Sequence, residues 1–288
     1  MKKLISSVVV AGLLATNAFA ADAKTENVKH NAVVKAEHKA ENTQLIKEAV
    51  LALQYTNDAY IYLNGKKTDK ALDSLKKAIG ELTVVLNNPK APYLLPVNVN
   101  VTASEYVGTI KNIAQQVRAA KVALAKGDLP LTRTILDSLK SEIDINAINI
   151  PLATYPDAIK LAIKYINEGK IKEAKDVIAM ALNTLVTTST VIPIPIVKAQ
   201  DLVIAASKIA KKDKKQAIKY LEEAKKQLKV AELLGYTSKS DTTYKMLKDK
   251  IDNIESKLNH NRETKSFFDD LKDKLKEFKD KAISVISK

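Results

Sequence analysis

The sequence predicts an all-α protein: antiparallel helical hairpins packed as a bundle or irregular array, joined by short extended connections that contain proline. Three observations carry that expectation. Only 7 glycines and 5% aromatic residues occur in 288, and the abundance of alanine, leucine, isoleucine and lysine favours helix over sheet. Apolar residues recur at three- and four-residue spacing over most of the chain after Leu45, the period of a helix with one buried face. The periodic segments are separated by turns of a few residues, which force neighbouring helices to run antiparallel.

The N-terminus has a different character. Met1-Lys2-Lys3 is a short positive start, Leu4 to Leu14 is an apolar run too short to span a bilayer, and Ala18-Phe19-Ala20 is a small-x-small site. This is the form of a secretory signal peptide, cleaved after Ala20. Export to the periplasm is expected, with secretion as the alternative, since the chain has no cysteine to carry a lipid. Without cysteine there is also no disulfide, thiol chemistry or zinc held on sulfur, and stability must come from packing. Residues 21–42 are polar and balanced in charge, and read as a flexible or partly helical tail.

The elements follow in order. A helix from Leu45 presents Ile46, Ala49, Val50, Leu53, Ala59, Tyr60 and Leu63 on one face and stops at Asn64-Gly65. Thr68 caps the next, which buries Ala71, Leu72, Leu75, Ala78, Ile79 and Leu82 and ends at Asn87-Asn88-Pro89. Residues 89–101 hold three prolines and the alternation Val97-Asn98-Val99-Asn100-Val101, which suggests a short strand or extended segment. Thr102-Ala103-Ser104-Glu105 reads as a capping box opening a helix to Lys126. After Gly127-Asp128, Pro130 lies in the first turn of a helix to about Glu142. An apolar connection over 143–155 leads to helices at 157–167 and 171–187. A second, Val191 to Ile196, leads to helices at 197–210, 213–234, 241–258 and 264–286. The domains expected are a signal peptide (1–20), the tail (21–42), a hairpin domain (43–236) and a C-terminal helical pair (237–288).

The second helix of each hairpin repeats Ala-x3-Leu/Ile-x2-Ala: Ala71/Leu75/Ala78, Ala174/Ile178/Ala181 and Ala217/Leu221/Ala224, with a weaker copy at Thr132/Leu136/Leu139. Small residues one turn apart let a partner helix approach, and the large one between them fills the gap. Tyr165, Gly169, Ala174, Ile178 and Ala181 bear a local likeness to tetratricopeptide-type hairpins, but the copies are spaced too irregularly for a regular solenoid.

Ile150-Pro151-Leu152-Ala153-Thr154 leading to Ala158 and Ala162, Asn167-Glu168-Gly169-Lys170 with Glu173-Ala174, Ile178 and Ala181, and the earlier Gly65 and Ala71 together resemble the YfdX family of exported bacterial proteins. The likeness runs from about Ala49 to Tyr236, and this chain is longer by its C-terminal helical pair. The resemblance implies a mostly helical periplasmic protein associated with stress tolerance in enterobacteria. It supplies no catalytic residues.

Little in the chain points to bond-making. The three histidines, His30, His38 and His260, lack metal-ligand spacing, and neither a nucleophile elbow nor a phosphate-binding glycine loop occurs. No enzyme activity, cofactor or metal is expected. The net charge of +14 is concentrated in a lysine-rich stretch from Lys198 to Lys229, with Lys211, Lys212, Lys214 and Lys215 as a candidate basic patch. Such a patch suits acidic partners or polyanions. Arginines number only three, and no nucleic-acid partner is expected. No apolar run after the leader is long enough for stable membrane insertion.

Tyr93, Leu95, Tyr155, Ile192 and Ile194, in the irregular connections, form a candidate apolar binding surface. The function expected is stress-associated, chaperone-like binding of unfolded polypeptide or small apolar ligands. An alternative is a structural scaffold that homo-oligomerises through the heptad stripes Tyr244/Leu247/Ile251/Ile254/Leu258 and Phe268/Leu271/Leu275/Phe278/Ala282/Val285.

Overall fold

The computed structural model describes residues 23–41 and 46–286, so the leader and its cleavage point lie outside the described residues. Eleven helices and three strands follow one another there. They form two compact units, one from 46–100 and 146–189, the other from 23–40, 101–145 and 190–286.

In the first unit, α2 (Lys47–Asn64) pairs with α3 (Thr68–Leu86), and α6 (Tyr155–Asn167) with α7 (Ile171–Asn183). The pairs meet as α3 on α6 and α2 on α7. The alanine seams make this approach possible: Ala71, Leu75, Ala78, Ala174 and Ile178 are all fully buried, and Ala49, Ala52 and Ala59 face them from α2. Each large seam residue contributes about 2–3 kcal/mol of apolar burial, far above the few tenths that helix propensity separates between these residue types.

The hairpin turns share one device. Gly169 is left-handed (φ 73°) and Lys170 N–H closes the α6 end on Tyr165 O, a Schellman cap. At the α2–α3 turn the left-handed residue is Lys66 (φ 58°), not Gly65, and Lys67 N–H reaches back to Tyr62 O. A side chain therefore occupies a backbone conformation that disfavours it.

The fold is mostly helical but not all-α. The extended connections pair as a three-stranded antiparallel sheet, β1 (Leu94–Ser104), β2 (Glu142–Pro151) and β3 (Val186–Pro193), with β2 in the middle. Register is visible in the side chains: Asn149 Nδ2 donates to Val186 O and Thr188 Oγ1, and Ser189 Oγ to Asn146 Oδ1.

Pairing moved several helix boundaries. β1 runs through the expected capping box to Ser104, so α4 (Ile110–Ala125) starts later, capped by Thr109, whose Oγ1 accepts from Asn112 N. Glu105 is bound instead by the buried Lys198. α5 (Leu129–Ser138) stops short of Glu142, which opens β2, and α7 ends at Asn183 because Val186-Thr187-Thr188 joins β3; β-branched side chains suit a pleated surface. α8 (Ile194–Ile209) begins earlier than expected, with Pro195 in its first turn, where its missing N–H leaves nothing unpaired.

In the second unit α8 is buried nearly all round. It packs on α9 (Lys214–Leu233) and α11 (Lys265–Ile286), and α10 (Tyr244–Asn259) packs on both α9 and α11. The stripes Leu247/Ile251/Ile254/Leu258 and Phe268/Leu271/Leu275/Phe278/Ala282 are buried within this core. What could have served oligomerisation is thus spent inside the chain; the side chain of Val285 lies outside the described residues. The expected tail contains a helix, α1 (Ala23–Glu41), with Thr25, Ala32 and Ala40 buried.

The turn geometry yields a paired prediction. Lys66→Gly is expected to stabilise the chain by about 0.5–1 kcal/mol, and Gly169→Ala to destabilise it by about 1 kcal/mol. Urea midpoints read both, and an unchanged midpoint for Lys66→Gly would contradict the strain.

Candidate functional site

The five residues expected to form an apolar surface do not form one. Leu95, Tyr155 and Ile194 are fully buried and belong to the interior, Ile192 is half-buried, and only Tyr93 lies in water, 88% exposed. The reason is strand pairing. Once β1 is held, its alternate residues Leu95 and Val97 turn inward, and the Tyr93 carbonyl accepts from Leu152 N at 2.9 Å, which leaves the Tyr93 ring outside.

Tyr155 is an unusual core residue. Its hydroxyl has no hydrogen-bond partner, and the nearby Thr56 hydroxyl gives its proton to Ala52 O. Burial pushes the phenol up to about 12, opposed by the nearby Thr56. A buried orphan of this kind costs stability.

Other large apolar side chains are exposed in the same unit. Val84 is 60% exposed and Leu86 46%, while Val85 between them is buried. The signal was present in the sequence: three consecutive apolar residues on a helix cannot all face inward. Ile61 on α2 and Met180 on α7 are exposed too.

Lys211, Lys212, Lys214 and Lys215 are all exposed around the α8–α9 turn, where Asp213 Oδ1 caps α9 by accepting from Gln216 N. Lys211 and Lys214 line a shallow cleft of about 220 Å³ with Arg262, Glu263 and Thr264. Lys212 and Lys215 do not line it. Glu263 is held below the ordinary carboxylate range by the Lys265 amide and then by Lys211, so part of the positive charge is already met. Arg262, from the α10–α11 turn, was not among the expected residues. Among the described residues no group of three His, Asp or Glu side chains could hold a metal ion, and His260 Nδ1 lies 2.7 Å from Ser256 O.

Two polar nodes organise the second unit. Tyr236 Oη donates to Glu142 Oε2 (2.9 Å) and accepts from Ser141 N (3.1 Å). Ser141 O accepts from Ile194 N, and Ser141 Oγ from Tyr106 N. The start of β2, the start of α8 and the segment after α9 are thus tied at one point. Burial raises the Glu142 carboxyl, opposed by the Tyr236 bond, and raises the Tyr236 phenol as well.

The other node docks α1. Lys29 Nζ bridges Glu26 (2.7 Å) and Glu223 (3.2 Å), and Gln216 Nε2 donates to Thr25 Oγ1. Burial alone would raise Glu223, but Lys29, Gln227 and Lys226 outweigh it and hold the carboxyl below its ordinary value. Close by, burial lowers Lys279, with Lys39 and Lys35 adding to the effect.

The geometry assigns no reaction, and the comparisons bear on ancestry. Residues 52–191, from within α2 into β3, match the family described as YfdX protein. A solved structure of Salmonella Typhi YfdX is similar at 20% identity and a TM-score of 0.38, the alignment covering 54% of this chain and 96% of that one. No curated protein matches the chain.

Two predictions follow from the nodes. Tyr236→Phe leaves Ser141 N and Glu142 without their partner and should cost about 1–3 kcal/mol, whereas Tyr155→Phe removes an orphan hydroxyl and should be neutral or gain up to about 1 kcal/mol; urea unfolding of both variants separates the roles. Because Glu223 has a folded pKa below its unfolded one, its contribution is present above the ordinary glutamate range and is lost as pH falls through the folded value. Glu223→Gln should therefore cost about 1–3 kcal/mol at neutral pH and almost nothing in strong acid. An equal cost at both would show that the ion pair does not hold α1.

Proposed function

We propose that this chain is an exported, non-catalytic binding protein of the periplasm, chaperone-like and associated with stress, whose clients are unfolded polypeptides. The observation that carries the reading is the exposure of three large apolar side chains around the end of α3: Val84 and Leu86, on opposite flanks of the helix about the buried Val85, and Tyr93 just beyond it, all within ten residues. Isolated exposed apolar residues are ordinary, but several together favour contact with another apolar chain. An extended client meets such a surface side chain by side chain and needs no enclosed cavity. The interior positions of Leu95, Tyr155 and Ile194 turn the reading from small apolar ligands towards polypeptide. The leader-like residues 1–20, together with what the YfdX resemblance implies, support export and stress association.

The test is suppression of light scattering by an acid-labile client enzyme. The chain is expected to suppress aggregation near equimolar ratio, and the combined V84S/L86S/Y93S variant to lose most of that protection with an unchanged circular dichroism spectrum. No protection at several-fold excess would overturn the reading. The protein recovered from the periplasm should begin at Ala21 by intact mass; an uncleaved cytosolic chain would remove the premise of export.

A further inference from the structure

The α4–α5 hairpin is the least buried helical pair in its unit. Thr132 is the one buried residue of α5, and α4 buries only Ile113, Ala120 and Ala123. At the tip of the hairpin, Val122, Leu124, Leu129 and Leu131 are each about half exposed, and Leu136 extends the α5 side by a further turn. These positions do not make one docking face. Val122 and Leu124 lie on either side of the buried Ala123, roughly 200° apart around the helix, so the tip is apolar on opposite flanks. A projecting end that is apolar on both sides fits a soft medium better than a shaped protein groove.

The charges are layered behind it. Arg118 is one turn back from Val122, and Arg133 one turn in from Leu129; residues four apart on a helix are neighbours on one face. Two of the three arginines in the chain thus stand just behind the apolar tip, joined by Lys121, while Lys126, the C-cap of α4, lies in the turn itself. Across 110–140 there are six cationic side chains against Asp128 and Asp137. Asp128 Oδ1 accepts from Leu131 N, so the acid at the turn already serves the backbone as a helix cap.

We propose that the α4–α5 tip is a membrane-surface contact: its leucine and valine side chains enter the headgroup–acyl boundary of an anionic bilayer while the ring of Arg118, Lys121, Lys126 and Arg133 pairs with lipid phosphates. Apolar side chains at the tip, Arg118, Lys121 and Arg133 behind them, and a long Lys126 side chain that can bend back to the headgroups match the depth profile of that boundary. The contact is peripheral and reversible, since no helix among the described residues is long and apolar enough to cross a membrane. It is independent of the polypeptide-binding surface proposed above, which lies in the other unit.

The absence of cysteine makes a direct test simple. Leu131→Cys and, as control, Lys215→Cys each provide a single site for an environment-sensitive dye. Both are followed with vesicles of phosphatidylglycerol and phosphatidylethanolamine, and with phosphatidylcholine alone. The full chain and the chain starting at Ala21 are compared, so that the apolar segment 4–14 is not the source of binding. The expected result is a blue shift at position 131 but not at 215, with anionic vesicles only. Cosedimentation should weaken about fivefold for each cation neutralised in Arg118→Gln and Arg133→Gln, and strongly in L129S/L131S, while circular dichroism shows the fold unchanged. No vesicle binding, a shift at 215 instead of 131, or an acidic peptide that binds the tip where vesicles do not would each overturn the proposal.

Discussion

Close approach of paired helices is the constraint from which the rest of this structure follows. At Ala71/Leu75/Ala78, Ala174/Ile178/Ala181 and Ala217/Leu221/Ala224 the seam is dry, with none of the nine residues more than 2% exposed. Alanine gives the partner backbone room, and the single large residue between two alanines locks the pair in register. Two consequences are structural rather than optional. The chain must reverse within a few residues of each seam, which is why caps such as Lys170 N–H on Tyr165 O close the hairpins. Helices other than the enclosed α8 also have one well-packed face, so apolar residues beyond that face are left for another layer or for water.

The sheet supplies that other layer where the chain leaves one hairpin for the next. Its strands hold residues that helices accommodate poorly: Val97, Val99 and Val101 in β1, and Val186, Thr187 and Thr188 in β3. Unpaired, their backbone groups would be buried without partners; paired, they add a ladder and fix which side chains point inward. Asn149 shows the gain in specificity, since its amide reaches both Val186 O and Thr188 Oγ1. The sheet also explains Ile194 and Leu95, apolar residues in irregular sequence that the pairing of their segments draws into the interior.

This division marks what was legible beforehand. Helical period, hairpin turns, alanine seams and the alternation in β1 are local patterns, and each stood within a short window of sequence. The pairing of β1 with β2 and of β2 with β3 is not local: Thr102-Ala103-Ser104-Glu105 has every local mark of a helix start, but β1 pairing runs through Ser104 and Glu105 is bound by Lys198, 93 residues away. Tyr155 is ambiguous in sequence for the same reason, as an aromatic in an irregular apolar segment can line a groove or fill a core. Its burial is decided by α6 packing on α3. Val84-Val85-Leu86 was the opposite case, a local signal that was available and not used.

The candidate surfaces obey a further physical rule. Lysines of the basic patch sit on a turn near a counter-ion, Glu263, whose carboxyl is held below its ordinary range by the Lys265 amide and then by Lys211, and a long solvated ammonium in that setting is a weak determinant of binding. Arg118 and Arg133 stand on helices beside unspent apolar surface, where attraction to a charged partner and removal of leucine from water act in the same direction. Net charge alone would single out Lys198 to Lys229 as the recognition surface. Coupling charge to exposed apolar area moves the emphasis to the α4–α5 tip, because there contact with a partner recovers free energy that folding of this chain left unclaimed.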